Sequence, residues 1–374
     1  MLEALDGAFS LILYDASKDL LLAARDRVGI TSLFQGRARA TPDLVYFASE
    51  RKALKPFCQE VIAFPSGSIC RELSMSGKGK SSASFAPVLH MPLRYASLVA
   101  SIAVGECKAK DPTTKVRSFS LKLRDTLMSF PIESVARHLR TQHTTYDLTA
   151  QEGLDAVCDT IYHLETFDQE AVSAAVPMFL LARKIKATGT KMIMTGLGSG
   201  GVHDILAGRL ESKDGNLPTS DTTRGQNLRL LDHAQIHKTA MAWGVECRMP
   251  FADTEMLDLM CSLRTSRDTS HLPYDEATTL RCALQEPSEE YGRHHIPAGV
   301  DWETGSLLDP LDNDMWIEAL HMEAKRRVLP AEYNARADRW PVGTPDTLES
   351  YWFRDLCDGY FKATMNMRDD IDEV

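Results

Sequence analysis

The chain has 374 residues, of which 44% are hydrophobic and 25% are charged, and its formal net charge at pH 7 is -10. These values predict a globular protein long enough for two cores, and the acidic balance argues against a nucleic-acid partner. The apolar runs are shorter than the roughly 18 residues of a membrane-spanning helix, and the N-terminus lacks a signal-peptide pattern. We therefore expect a cytoplasmic protein without a membrane partner.

Residues 1–70 alternate apolar runs with turn-forming residues. The runs AFSLILYD, LLLAARD, LVYFAS and VIAF are separated by clusters such as Asp-Ala-Ser-Lys and Thr-Pro-Asp. This alternation predicts an antiparallel sheet. Residues 71–87 follow as a tract rich in serine, glycine and lysine, which is typical of a flexible linker.

Strand and helix signals alternate after the linker. Residues 116–123 are predicted to form a strand, residues 191–195 a short buried strand, and residues 135–139, 150–167 and 172–189 helices. Such alternation implies a parallel sheet with both faces covered. The remaining third is predicted to be mostly helical, at 232–243, 256–263, 276–284, 315–328 and 347–367, and residues 368–374 form an acidic tail.

The glycine-rich turn at 196–201 is the stretch of the sequence that could bind a ligand. Closely spaced glycines let backbone N–H groups approach a phosphate, and the N-terminus of a following helix adds positive charge. GLGSGG also fits the dinucleotide pattern G-x-G-x-x-G, but residues 216–227 are polar where that motif needs a second strand. A third interpretation is a tight turn without any ligand.

The stretch KMIMTGLGSGGVHDILAG, residues 191–208, resembles the segment of the asparagine synthetases in which a strand ends in S-G-E-G-S-D-E-x-F-G-G. PMFLLARKIKATG before it and AWGVECRMPFAD after it also match, and the similarity covers nearly the whole chain. The resemblance implies an α/β protein with a truncated, Ntn-hydrolase-like antiparallel sheet, followed by a parallel-sheet domain of the adenine-nucleotide α-hydrolase-like type with a helical C-terminal part. The implied domains are a partial type 2 glutamine amidotransferase domain at 1–70 and a synthetase domain at 88–367.

In that family, ATP adenylates the side chain of aspartate and ammonia then displaces AMP. ARDRVGITSLFQG and FASERKALKP look like the second half of the amidotransferase domain. The first half starts in the family with a cysteine whose own α-amino group is the base. Here Leu2 follows Met1, so we expect no glutaminase site in this sequence.

The resemblance also implies where ATP and magnesium would bind. Residues 88–104 look like the strand, loop and helix of a phosphate-binding loop, but MPLRYA at 91–96 replaces the family's S-G-G-L-D-S. Nucleotide contacts are implied at Leu121, Thr195, Gly196, Gly198 and Ser199. Tyr95 and Gly200 occupy the two magnesium-ligand positions and cannot supply a carboxylate. Leu197 replaces the catalytic glutamate and Ala277 the phosphate-stabilising lysine.

Two hypotheses follow from these substitutions. One is an active ATP-dependent ligase whose sequence is incomplete here. The other is a homologue without catalysis that acts as a binding or regulatory subunit, as a homodimer or in a heterodimer with an active synthetase. Under both, aspartate and ATP are the family's substrates, and we expect ATP binding to be weak or lost and magnesium binding to be lost.

Overall fold

The computed structural model describes residues 5, 7–41, 44–71, 93–124, 129–196, 224–265 and 314–361. The described strands are β1 (Ser10–Asp15), β2 (Leu20–Arg25), β3 (Phe34–Ala38), β4 (Val45–Ala48), β5 (Cys58–Ala63), β6 (Ile69–Arg71), β7 (Arg117–Leu123), β8 (Gln142–Leu148), β9 (Met192–Met194) and β10 (Glu246–Arg248). The described α-helices are α1 (Arg51–Leu54), α2 (Leu93–Lys110), α3 (Ser129–Leu139), α4 (Ala150–Leu164), α5 (Gln169–Ala187), α6 (Arg224–Met241), α7 (Thr254–Thr265), α8 (Asp314–Arg327), α9 (Pro330–Asn334), α10 (Arg336–Arg339) and α11 (Leu348–Phe361).

The described residues of the N-terminal region form two antiparallel sheets, which confirms the predicted strand type. Their strand orders are β1-β2-β6 and β4-β3-β5, and the buried side chains of Ala23, Leu33 and Phe64 form a cluster between them. The sequence did not predict β3 and β6. Arg71, which we assigned to the linker, is the last residue of β6, and the rest of the predicted linker lies outside the described residues.

Among the described strands, parallel pairs lie only in the later region, as expected. β7 and β8 pair in parallel over seven residues each, and β9 pairs in parallel with β10. Helices α4 and α5 pack against β7 and β8 through a large core, and α3 contacts the same two strands. The described part is therefore a mixed α/β fold in which helices pack against both parallel strand pairs.

The predicted burial of the strand before the glycine-rich turn is wrong. In β9 only Ile193 packs against the core, whereas Met192 is 52% and Met194 is 53% exposed. β10 repeats this alternation, with a buried Cys247 between two exposed residues. The β9–β10 pair is thus covered on one face within the described part of the chain, because the helices α5 and α6 pack on that face alone.

Helix boundaries differ from the prediction at two functionally important places. α2 begins at Leu93, so part of the predicted loop at 91–96 is helical, and Tyr95 lies on this helix. Leu93, Arg94 and Ala96 have high helix propensities, and the helix starts directly after Pro92. α4 ends at Leu164 and not at Phe167, because Glu165 adopts a left-handed conformation with φ of 61°.

The C-terminal helices complete the main core. Trp316 of α8 is buried and its Nε1 donates a hydrogen bond of 3.0 Å to the carbonyl of Ser173 in α5. Phe353 of α11 is also fully buried in this core. The predicted helix at 276–284 and the tail at 368–374 lie outside the described residues. Of the helices that the structure describes, none combines the length and apolar character needed to cross a bilayer.

Candidate functional site

The described nucleotide-contact candidates lie at two strand ends. Leu121 is near the end of β7 with its side chain buried, and Thr195 and Gly196 directly follow β9. Phe119 of β7 and Ile193 of β9 pack against the same cluster of side chains beneath α5. At the opposite ends of the strands, Arg117 Nη1 donates a hydrogen bond of 3.1 Å to Thr190 Oγ1. These contacts connect β7 and β9, which belong to two separate two-stranded sheets.

The backbone after β9 is already partly engaged. The Thr195 N–H donates a hydrogen bond of 3.0 Å to the carbonyl of Arg248, at the end of β10. This N–H therefore serves the β9–β10 pair, and a nucleotide would have to use other backbone groups of Thr195 and Gly196. Gly189, predicted to end the preceding helix, has φ of 80° and makes the turn from α5 into β9.

The remaining predicted site residues fall outside the part of the chain that the structure describes: Leu197, Gly198, Ser199, Gly200 and Ala277. Tyr95 lies in helix α2, whereas its assignment as a magnesium-ligand position assumed that it lies in a loop. Among the described residues, no three acidic, histidine or cysteine side chains are grouped so that they could hold a metal ion. Of the predicted nucleotide contacts, the structure therefore describes Leu121 in β7 and Thr195 and Gly196 after β9, and the catalytic positions remain predictions from the sequence.

A contact between the N-terminal sheets and the later region is the best-defined polar feature, and we call it the junction. It is formed by the following residues: Arg27, Val28, Ile30, Arg51, Lys52, Glu165, Ile185, Ile236, Lys238 and Asp258. Its apolar part buries Val28 and Ile30 against Ile185 of α5 and Ile236 of α6. The sequence did not predict this contact.

The loop that carries Val28 and Ile30 is held by a buried carboxylate. Asp26 Oδ1 accepts hydrogen bonds from the N–H groups of Val28, Gly29 and Ile30, at 3.1, 2.6 and 2.9 Å. Gly29 has φ of 74°, a conformation that favours glycine, so the loop can turn tightly around the carboxylate. Within the motif ARDRVGITSLFQG, Asp26 and Gly29 thus form the tight loop that brings Val28 and Ile30 into the junction.

Glu165 is the polar centre of the junction. Its carboxylate accepts hydrogen bonds from the backbone N–H groups of Arg51 (3.1 Å) and Lys52 (2.6 Å), and from Lys238 Nζ (2.9 Å). Only 3% of the Glu165 side chain and 11% of the Lys238 side chain are exposed. Lys238 Nζ also donates to the carbonyl of Leu164 at 3.2 Å and lies 5.2 Å from the ring centre of Phe34.

The charge on Glu165 is stabilised despite its burial. Burial by itself raises the pKa of this carboxyl, but the attraction of Lys238 and the hydrogen bonds from Lys238 and Lys52 outweigh it, so the pKa lies below its ordinary value. A buried ion pair with its hydrogen bonds satisfied is costly to break from one side. The junction therefore fixes α1 of the N-terminal region to α4 and α6 of the later region.

The junction is connected through the chain to the candidate nucleotide turn. Three residues after Glu165, Asp168 caps α5 by accepting a hydrogen bond of 2.7 Å from the Ala171 N–H. α5 leads through Gly189 to β9, and α6, which carries Lys238, leads to β10. Both helices at the junction thus end at the strand pair that precedes Thr195 and Gly196.

Two family models match the chain in this order. A glutamine amidotransferase domain matches residues 1–56, and asparagine synthase matches residues 96–204 and 225–293. The probable asparagine synthetase (glutamine-hydrolyzing) of Schizosaccharomyces pombe is 32% identical over 409 residues, which cover 96% of this chain and 72% of the relative. Asparagine synthetase (glutamine-hydrolyzing) 1 of Saccharomyces cerevisiae is 31% identical, covering 96% and 73%.

Asparagine synthetase B (glutamine-hydrolyzing) of Escherichia coli is more distant, with 27% identity over 405 residues that cover 96% of this chain and 71% of the relative. An amidotransferase match followed by a synthase match is the domain order that the sequence motifs implied. The chain belongs to the asparagine synthetase family.

Proposed function

We propose that this protein is an asparagine synthetase homologue whose ATP-dependent amidation of aspartate is lost or strongly impaired, and that the stretch of residues 1–374 carries no glutaminase site of its own. One observation carries the proposal. Leu197 and Gly200 lie within residues 96–204, and Ala277 lies within residues 225–293, the two stretches that match the asparagine synthase model. These three positions are therefore substitutions within matching sequence, where the family pattern implies two carboxylates and a lysine.

The chemistry of adenylation explains why these substitutions matter. A carboxylate is needed to move protons during ammonia attack, another to hold magnesium, and a cation to stabilise charge on the phosphates. Losing one such preorganised electrostatic contact costs about 10²–10³ in rate. Such losses are not additive, so we take a combined deficit of at least about 10⁴ as a cautious value.

The intact junction favours a second function, that of a non-catalytic binding or regulatory subunit. The buried pair Glu165–Lys238 and the loop around Asp26 hold the fold together, whereas the site positions Leu197, Gly200 and Ala277 carry no charge. A binding subunit needs a fixed structure but no catalytic groups, and the buried polar contact supports such a structure. We propose a homodimer or a heterodimer with an active synthetase, in the cytoplasm, as the setting for this role.

Exchange of labelled pyrophosphate into ATP tests the proposal. With purified protein, magnesium and aspartate, we expect no aspartate-dependent exchange and at most weak, magnesium-independent nucleotide binding at Leu121, Thr195 and Gly196. The control variant combines Leu197→Glu, Gly200→Asp and Ala277→Lys with the S-G-G-L-D-S loop, and should gain exchange. Robust exchange by the unaltered chain would show that its catalytic groups lie elsewhere.

Release of glutamate from glutamine is the matching test for the amidotransferase part. Residues 1–56, which match the amidotransferase model, contain no cysteine that could act as the nucleophile. The polypeptide of residues 1–374 should therefore produce no more glutamate than a sample without enzyme. Production above this background would show that residues 1–374 contain a glutaminase site.

A further inference from the structure

The helix α8 has an apolar outer face as well as an apolar inner face. Trp316, Leu320 and Ala324 are buried in the main core. On the opposite side of the helix, Met315 is 52% and Met322 is 55% exposed. Seven residues make about two helical turns, so the two methionines lie on the same side of α8. The helix therefore presents apolar side chains to solvent along a line.

This line continues just past the end of the helix. The Val328 N–H still donates a hydrogen bond of 2.9 Å to the carbonyl of Ala324, and the next residue, Leu329, is 59% exposed. Leu329 follows Met322 by the same spacing that separates Met322 from Met315. We call Met315, Met322 and Leu329 the α8 stripe. Apolar residues repeated at this spacing are typical of helices that pair with another helix.

Two charged residues of opposite sign lie on the same edge of the α8 stripe. Glu318 precedes Met322 by four residues and Lys325 follows it by three, so both are on one side of the helix. Both are exposed, and neither side chain forms an ion pair with another of the residues that the structure describes. Arg326, by contrast, is paired with Glu323 of its own helix at 2.6 Å. The charges of Glu318 and Lys325 are therefore available to a partner.

We propose that the α8 stripe binds the α8 stripe of a second copy of this chain, in an antiparallel pair of helices with a two-fold axis at Met322. In such a pair, each edge of one helix faces the same edge of the other in the reversed direction. Met315 then lies against Leu329 of the second copy. Glu318 lies beside Lys325 of the second copy, and the symmetry repeats both contacts. The α8 stripe is thus complementary to itself in its apolar side chains and in its charges.

A parallel pair of the same helices fits less well. A two-fold axis along the helices brings opposite edges together. Lys325 would then lie beside Arg326 of the second copy, which places two positive charges together, and Glu318 would face the uncharged Ala319. The order of charges along α8 therefore favours the antiparallel pair.

The inference deepens the proposed role as a binding subunit, on which it rests, because it names the surface through which a homodimer forms. A single helix pair of this length lies at the small end of specific interfaces, so the dimer should dissociate reversibly. Methionine side chains are flexible and adapt to such a contact.

Sedimentation equilibrium of residues 1–374 tests the inference. We expect a monomer–dimer equilibrium at concentrations between about 1 and 200 µM. Met322→Lys should raise the dissociation constant at least about tenfold, because the two-fold axis brings both ammonium groups together. Glu318→Lys and, separately, Lys325→Glu should each raise it by about tenfold, since each change replaces two attractions by two repulsions.

A mixture of the two charge variants provides the rescue. Glu318→Lys leaves positive charges on this edge of the stripe and Lys325→Glu leaves negative ones, so the two variants should bind each other as the unaltered chain binds itself. A variant that had lost its fold could not be rescued in this way. Met241→Lys is the matched control, since Met241 is 45% exposed at the end of α6 and should leave the equilibrium unchanged.

The inference is overturned if residues 1–374 stay monomeric up to about 200 µM, if Met322→Lys dimerises normally, or if the mixture of charge variants stays monomeric. A dimer that tolerates every change on α8 would reject this surface and leave the proposed homodimer in place. The exchange of pyrophosphate into ATP tests the proposed loss of catalysis separately, because it does not measure the oligomeric state.

Discussion

The carboxylate of Glu165 joins two regions of the chain that are more than 100 residues apart in sequence. It accepts the N–H groups of Arg51 and Lys52 in the first turn of α1 and pairs with Lys238 of α6. Because the side chain is almost fully buried, these partners replace the water that an exposed carboxylate would bind. The residue therefore stabilises the fold only as long as all its partners remain in place.

Replacing Glu165 by glutamine should lower the free energy of unfolding by about 3 kcal/mol. The amide keeps the shape of the side chain, but it leaves the buried ammonium of Lys238 without a counter-charge. Urea denaturation at pH 7 measures the difference. The control is Glu246→Gln, which removes a half-exposed carboxylate paired with the exposed Arg248 and should cost at most about 1 kcal/mol. Equal effects of the two variants would contradict the role assigned to Glu165.

The effect of Glu165→Gln should depend on pH in a defined direction. In the folded state, Lys238 and the N–H groups outweigh the effect of burial and lower the pKa of Glu165 below its ordinary value. A lowered pKa gives stability that is complete above the ordinary value of about 4.3 and is lost as pH falls through the folded-state pKa. The difference in unfolding free energy between the two proteins should thus be constant from pH 6 to 8 and shrink below about pH 4. An equal difference at pH 3 and pH 7 would contradict this.

Two helical glycines differ in what surrounds them. A Cβ atom at Gly153 of α4 would lie 2.5 Å from the ring of the buried Trp316, whereas a Cβ at Gly359 of α11 would have no atom within 4 Å. Alanine is a better helix former than glycine by about 1 kcal/mol, so propensity alone favours both substitutions. The sign of each substitution's effect on stability therefore depends on the packing around the added methyl group.

Gly153→Ala should therefore destabilise the protein by about 1–3 kcal/mol, since Trp316 must move within a close-packed core. Gly359→Ala should stabilise it by up to about 1 kcal/mol, because the added methyl group meets open space. Thermal unfolding of both variants, followed by circular dichroism, gives the comparison. Stabilisation by Gly153→Ala would show that α4 and α8 pack less tightly than the structure indicates.

The elements that were predicted correctly share a regular spacing of apolar residues. Helices such as α4 and α5 carry a regular apolar stripe, as at Val157 and Ile161, and were predicted within a few residues. β3 was missed because Gly36 resembles a turn residue. In the structure a Cβ at Gly36 would lie 2.6 Å from Cys58 Sγ, so the central strand of its sheet requires glycine there.

β8 was missed for a different reason. Its sequence QHTTYDL is polar, and its polar side chains bond to those of the neighbouring strand. His143 Nδ1 lies 2.8 Å from Ser118 Oγ and its Nε2 lies 3.0 Å from Ser120 Oγ, both in β7. Burial lowers the pKa of His143. Hydrogen bonding between strands thus replaces the apolar alternation on which strand prediction depends.

For the candidate site, only the place of some residues in the fold could be predicted from the sequence. Thr195 and Gly196 follow a recognisable strand, so their position could be predicted from motif and spacing. The helical start of α2 at Leu93 could not, because the sequence was compared with a loop whose glycines are absent here. The junction could not either, since its partners are distant in sequence and depend on the tertiary fold.

The junction should make the N-terminal sheets and the later region unfold together. It combines a buried ion pair with an apolar cluster shared by Val28, Ile185 and Ile236. Regions that share such a core behave as one cooperative unit. Differential scanning calorimetry should show a single transition, and backbone amides of α1 and α4 should exchange hydrogen at similar rates. Two separate transitions, with α1 exchanging much faster, would contradict a shared unit.

The contact between Glu165 and α1 has a consequence for how such proteins diverge. Glu165 binds the main-chain N–H groups of Arg51 and Lys52, and every residue type except proline has such a group. Replacement of the side chain at either position leaves these two hydrogen bonds in place, whereas few changes at 165 would preserve them. A search for covarying positions among related sequences would therefore find no signal between 165 and 51 or 52, although these residues are in direct contact.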